Sequence, residues 1–157
     1  MRARSRLVHS GNAANRDSLI TRLQSYAQSD PDRDALVSAT ATLSYAALVE
    51  SVREKVELLH EAGVANDAVV GIRCADDILH ILQLLATINV GATSFAIPSH
   101  ESEQVQQSLI DQCGATHVVH GEDIERISTS NRAMPALLDE ARLLFSTSGT
   151  TGTPKLV

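Results

Sequence analysis

Three short apolar runs, separated by helical patterns that each stop at a glycine, constrain this chain more than any other feature. Ala68-Val69-Val70-Gly71-Ile72 is apolar without alternation over the length of a strand, the pattern of a strand covered on both faces. Asp76 or Asp77 can cap a following helix through Asn89. That helix is apolar nearly all round, with His80, Gln83 and Thr87 as a polar stripe at helical spacing, so it should be buried. Gly91 stops it, and Ala92 to Pro98 reads as the next strand. Glu101 to Gln112 follows as a helix with Val105, Leu109 and Cys113 turned inward, and Gly114 stops that one. Thr116-His117-Val118-Val119-His120 completes a strand, helix, strand, helix, strand series. Such a series joins parallel strands by right-handed crossovers, and the fold class is α/β with a mainly parallel sheet and flanking helices.

The first part of the chain supports this unit. Residues 1–16 carry Arg2, Arg4, Arg6 and Arg16, no acid and few apolar residues, and read as a disordered leader. An ordered region from 17 to 157 begins with a helix capped by Asp17, with Leu19, Ile20, Leu23, Tyr26 and Ala27 on one face, ended by Asp30-Pro31-Asp32. Ala35-Leu36-Val37 and the residues before Ser44 form a small hairpin. From Tyr45 to Ala62, Leu48, Val52, Val56 and Leu59 make an amphipathic helix closed by Gly63, with Glu50, Arg53, Glu54 and Glu57 on a solvated face. After His120, the stretch to about residue 140 reads as a connecting segment, followed by a short strand at Leu143-Leu144-Phe145.

Charge and composition narrow the function classes. With 13 basic and 19 acidic residues the net charge is −6 and no tryptophan is present, which leaves neither a basic footprint nor stacking platforms for nucleic acid. No apolar run approaches the ~18 residues that a membrane span requires, so the expectation is a cytoplasmic protein. Cys74 and Cys113 lack C-x-x-C spacing and read as buried thiols. The six histidines show no metal-binding spacing, and His117 and His120 fall on opposite faces of a strand; no metal ligand is assigned. Asp76-Asp77 and Gly121-Glu122-Asp123 are acids after strands, where caps and solvated turns are commoner than catalytic dyads.

The chemistry is concentrated in Ser146-Thr147-Ser148-Gly149-Thr150-Thr151-Gly152-Thr153-Pro154-Lys155, where six hydroxyl residues, two glycines and one lysine occupy ten positions. Glycines let successive backbone N–H groups converge, hydroxyls add donors without bulk, and an ammonium adds charge, a combination suited to a polyphosphate. A flexible linker can have this composition, but a linker has no reason to follow an apolar strand and finish in Pro-Lys. It is not the Walker loop either: Gly149 and Gly152 are too close, Lys155 follows proline, and Leu156 stands where Ser or Thr would meet magnesium. Ser148 lacks the G-x-S-x-G elbow of a hydrolase nucleophile.

Residues 147–155 resemble the phosphate-binding signature of the adenylate-forming superfamily, which comprises acyl-CoA synthetases, nonribosomal-peptide adenylation domains and luciferases. Thr42-Leu43-Ser44-Tyr45-Ala46-Ala47-Leu48, Asn89-Val90-Gly91-Ala92 through Ile97-Pro98, and Gln112-Cys113-Gly114-Ala115-Thr116 are similar to upstream landmarks of the same superfamily, in the same order. The departures are Ser99 and His100 after the proline, Ser146 before the signature, and Leu156 where a glycine is usual. The resemblance implies the first part of the large N-terminal domain of an enzyme that joins a carboxylate to ATP, releases pyrophosphate, and passes the acyl group to a thiol. Thr147, Ser148, Gly149, Thr150, Thr151 and Gly152 would enclose the β- and γ-phosphates, with Lys155 supporting charge. ATP, Mg2+ and an acceptor, CoA or carrier phosphopantetheine, are implied, with CoA ligase as the leading subclass and fatty, aryl and amino acids all open as substrates. The chain ends at Val157, ahead of the residues that would carry catalysis, so no catalytic residue is assigned. An N-terminal portion inactive by itself is expected. The alternative is an autonomous nucleotide-binding or interaction module, or half of a split enzyme paired with a separate C-terminal chain.

Overall fold

A computed structural model describes residues 11–127, 143–144, 146–147 and 155–156, with side chains described between Leu19 and Leu144. Helix α1 (Gly11–Ser29) precedes a hairpin of β1 (Asp34–Val37) and β2 (Thr42–Ser44), then α2 (Tyr45–Glu61). Next come β3 (Val69–Arg73), α3 (Asp77–Val90), β4 (Thr93–Ala96), α4 (Glu103–Cys113), β5 (His117–His120) and β6 (Asp123–Arg126). The two-residue strands β7 (Leu143–Leu144), β8 (Ser146–Thr147) and β9 (Lys155–Leu156) complete the described elements.

The main sheet has the order β6-β5-β3-β4-β7. Strand β3 pairs in parallel with both β4 and β5, and β4 in parallel with β7. The chain moves to one side of β3 through α3 and to the other side through α4. Right-handed crossovers in opposite directions place their helices on opposite faces, and the core divides accordingly. Leu109, Ile110 and Cys113 of α4 pack with Val69, Phe95, Val118 and Leu144 on one face. Leu59 of α2 and Ala86 of α3 pack with Val70 and Val119 on the other. Outside α2 and α3, Leu23 of α1 and Ala35, Leu36 and Leu43 of the hairpin close a third cluster over Leu48, Val52 and Leu82.

The helix ends explain why these elements stop where they do. Side chains of Ser44, Asp76 and Ser102 accept hydrogen bonds from Ala47, Leu79 and Val105 N–H groups at the starts of α2, α3 and α4. At Gly91 (φ 94°) and Gly114 (φ 63°) the backbone turns left-handed. The next amide, Ala92 or Ala115, then bonds back to Thr87 or Ile110, the arrangement that satisfies a helix's last carbonyls.

Two expectations are corrected here. Helix α1 begins at Gly11, so Asp17 lies inside it rather than at its cap, and the helix reaches back into the stretch read as leader; Ala13 and Ala14 favour this extension. Residues 1–10 lie outside the described residues. The connecting segment after His120 opens with strand β6, antiparallel to β5, with His120 opposite Asp123 and His117 opposite Arg126. Gly121 takes φ 61° in the two-residue turn, and Ile124 and Ile127 return to the core while the residues between them face outward.

Candidate functional site

The signature segment is delivered by the edge strand β7. Ser94 lies opposite Leu143 and Phe95 opposite Leu144. One residue further, β8 begins and pairs antiparallel with β9, so that Ser146 faces Leu156 and Thr147 faces Lys155. Strand β7 falls on the short strand expected at Leu143-Leu144-Phe145, of which Phe145 lies outside the described residues, and the ends of the signature pair with each other as β8 and β9. Of the predicted site residues, Thr147 and Lys155 are therefore cross-strand neighbours. Ser148, Gly149, Thr150, Thr151 and Gly152 fall within 148–154, outside the described residues. Strand β7 runs parallel to β4, so its C-terminal end, which leads to Thr147, points to the same rim of the sheet as the C-terminal ends of β3, β4 and β5.

What seats β7 is a packed column beneath it. Leu144 is buried whereas Leu143 is exposed. Leu144 packs in the cluster that holds Phe95 and Ile97. A Cβ on Gly71 would come within 2.7 Å of Ile97 Cδ1 and 3.0 Å of the Phe95 ring, so the missing side chain of Gly71 is what gives that ring its place.

Other polar groups near the same rim have structural partners. Asp76 caps α3 through a 2.8 Å bond from Leu79 N–H, and Glu122 pairs with the Lys55 ammonium. Lys55 was not singled out in the sequence, although it stands on the stripe of Leu48, Val52 and Leu59 and is buried with them. Gln83 and Thr87, read as a polar stripe, are among the most buried positions of α3. Gln83 Nε2–H donates to the Gly121 carbonyl at 3.2 Å and Thr87 Oγ1–H to the Gln83 carbonyl at 2.8 Å. Gln83 therefore fastens α3 to the β5–β6 turn, while Thr87 bonds within its own helix. Among the described residues, Gln83 Oε1 and Arg73 Nε are buried without a hydrogen-bond partner.

His117 and His120 do diverge. His117 is buried, with Nε2 3.2 Å from the Ala62 carbonyl and Nδ1 2.9 Å from Thr116 Oγ1. Burial, then the nearby Arg126 charge, holds its pKa below the usual histidine value against the opposing pull of the Ala62 bond. His120 lies 3.4 Å from Glu125. Among the described residues no group of three or more His, Cys, Asp or Glu is arranged to hold a metal ion. Cys113 is buried, which pushes its thiol up to about 12, while Cys74 is only half-buried. A cleft of about 700 Å³ lined by Gly63, Asp67, Thr116, His117 and Arg126 lies at the opposite, N-terminal end of the parallel strands. It lies at the end of the parallel strands opposite to the C-terminal end of β7.

A mainly parallel sheet with helices packed on both faces defines an α/β domain. The chain belongs to the AMP-binding enzyme family, whose model matches residues 23–143. That match ends before residue 147, so it and the signature rest on different residues. Tyrocidine synthase 1 of Brevibacillus parabrevis is 27% identical over 150 residues, covering 82% of this chain and 14% of its own length. The N-terminal subdomain of Klebsiella oxytoca NpsA, solved with 3-hydroxybenzoyl-AMSN, aligns with a TM-score of 0.70 at 22% identity over 88% of this chain and 40% of that one. O-succinylbenzoate coenzyme A synthetase (MenE) of Bacillus subtilis, solved with AMP, aligns with a TM-score of 0.68 at 21% identity, covering 86% and 40%. The fold is thus that of the N-terminal subdomain of adenylate-forming enzymes. No helix among the described residues is long and apolar enough to cross a membrane.

Proposed function

We propose that residues 17–157 are the first part of the AMP-binding domain of an ATP-dependent carboxylate-activating ligase, and that 147–155 receive the triphosphate of ATP. The observation that carries this is the β8–β9 neck. It sets Thr147 opposite Lys155, the first and last residues of the hydroxyl- and glycine-rich stretch. Residues 147–155 contain hydroxyls, backbone N–H groups and one ammonium, and no carboxylate. That donor set fits a polyanion despite the chain's net charge of −6.

In this reading Thr147, Ser148, Gly149, Thr150, Thr151 and Gly152 bind the β- and γ-phosphates, and Lys155 offsets their charge. Held there, the triphosphate presents its α-phosphorus to a carboxylate oxygen. The bond to the bridging oxygen breaks, and pyrophosphate leaves as the acyl-adenylate forms. Fixing the leaving group and spreading its charge is how a protein assists such transfers. Mg2+ enters with ATP, and the acyl group passes to the thiol of CoA or of a carrier phosphopantetheine.

Isothermal titration with Mg2+–ATP and with pyrophosphate tests the loop. Binding by the unsubstituted chain that is lost in both Lys155→Ala and Gly149→Val is the expected result. A folded chain that binds neither, or binding indifferent to both substitutions, overturns the assignment.

A further inference from the structure

Strand β7 has little of its own to hold it. It contributes two register pairs to the sheet edge, Ser94 with Leu143 and Phe95 with Leu144, and only one of its side chains, Leu144, is buried. The next residue but one, Ser146, already belongs to the β8–β9 neck, where Thr147 pairs with Lys155. The seat of Leu144 is the cluster of Phe95 and Ile97, and the Phe95 ring lies over Gly71, whose absent Cβ leaves the space it fills. Packed interiors shift as units rather than yield atom by atom, so a displaced ring displaces the strand resting on it.

We propose that Gly71 and Phe95 are positioning residues for the phosphate loop, acting through Leu144 to fix where β8 and β9 emerge from the sheet. Their functional meaning rests on the reading of 147–155 as the triphosphate site; their structural effect does not.

The test is amide hydrogen exchange across residues 143–156 of the 157-residue chain, with ATP affinity measured alongside. Phe95→Leu keeps an apolar residue but empties the space over Gly71. It is expected to speed exchange in 143–156 by about tenfold more than it speeds exchange in β3 and β5, because it opens the edge locally. Leu59→Ala is the control. It empties the core on the other face of the sheet, and at urea concentrations adjusted to equal global stability it should leave 143–156 unchanged relative to β3. Gly71→Ala is the gentler second variant. Its Cβ meets Ile97 Cδ1 at 2.7 Å and the Phe95 ring at 3.0 Å, so it should speed exchange in 143–156, and adding Ile97→Val removes only the first contact and should recover part of the slow exchange.

Equal acceleration by Leu59→Ala, no acceleration by Phe95→Leu, or exchange in 143–156 at the unprotected rate in the unsubstituted chain each overturns the proposal. Exchange that follows the expected pattern in a chain that binds no ATP supports the positioning and refutes the nucleotide reading. ATP binding that depends on Lys155 while Phe95→Leu leaves exchange unmoved does the reverse.

Discussion

Removing Glu122 should harm this protein more than removing the lysine it pairs with. The Lys55 side chain is 11% exposed and the Glu122 side chain 66% exposed, so the pair joins a charge sunk among apolar residues of α2 to one largely in water. In Glu122→Gln the ammonium stays buried and loses its counter-charge. Breaking a fully buried pair costs 3–5 kcal/mol as a general range, roughly, but one partner here is solvated and its attraction screened, so we expect about 1–2 kcal/mol. Lys55→Met keeps the apolar stem on the stripe of Leu48, Val52 and Leu59 and removes the charge that needed desolvating, so its stability should fall within about 1 kcal/mol of the unsubstituted chain. The double variant should resemble Lys55→Met, because Glu122 then has nothing to neutralise. Urea denaturation of all four proteins at pH 7 and low ionic strength supplies the cycle, and repeating it in salt should shrink the Glu122 effect. A larger loss in Lys55→Met than in Glu122→Gln would refute the reasoning, for it would mean that the charge itself stabilises the site.

Histidine 117 predicts an acid-sensitive fold. Its pKa is lowered on folding from 6.5, so the unfolded chain binds the proton more tightly, and its contribution is complete above pH 6.5 and lost as pH falls from there toward the lowered value. Urea midpoints measured from pH 7.5 downward should decline over that window, and His117→Gln should flatten the decline. Native-state thiol labelling at pH 8 should report one fast cysteine, Cys74, with Cys113 reacting only on addition of denaturant, since its thiol is buried and pushed up to about 12. Two fast thiols in the native chain would contradict the described core. Asp76→Ala removes the acceptor for Leu79 N–H and should cost about 1 kcal/mol in thermal or urea unfolding; Asp77→Ala, just inside the helix, should cost less.

The parallel unit was legible because its signals are local. Unbroken apolar runs mark buried strands, and the serine, aspartate and glycine residues at helix ends carry their own stopping chemistry. β6 was missed because a four-residue edge strand that alternates only around Ile124 looks like a polar connector until Gly121 is seen turning the chain. Lys55 was passed over because helical wheels sort residues by hydropathy, and a lysine on the apolar stripe is recognised only when its partner arrives from 67 positions away. The signature announced itself by composition, but the ladder joining Thr147 to Lys155 depends on pairing between two-residue strands, which no periodicity can encode. Strand order was equally beyond reach, since it is set by which side of β3 each crossover takes.

Ala92 and Ala115 pass almost directly from a closed helix into β4 and β5. The two joints are short and bonded back on themselves, and they lie at the same end of the sheet. Descendants of such a domain can lengthen or rewrite the chain at the opposite rim without disturbing its frame, while insertions beside Gly91 or Gly114 would pull a strand out of register. A designer wishing to graft new specificity onto this scaffold would accordingly place variation after β3, β4 and β5, and leave the helix-to-strand joints untouched.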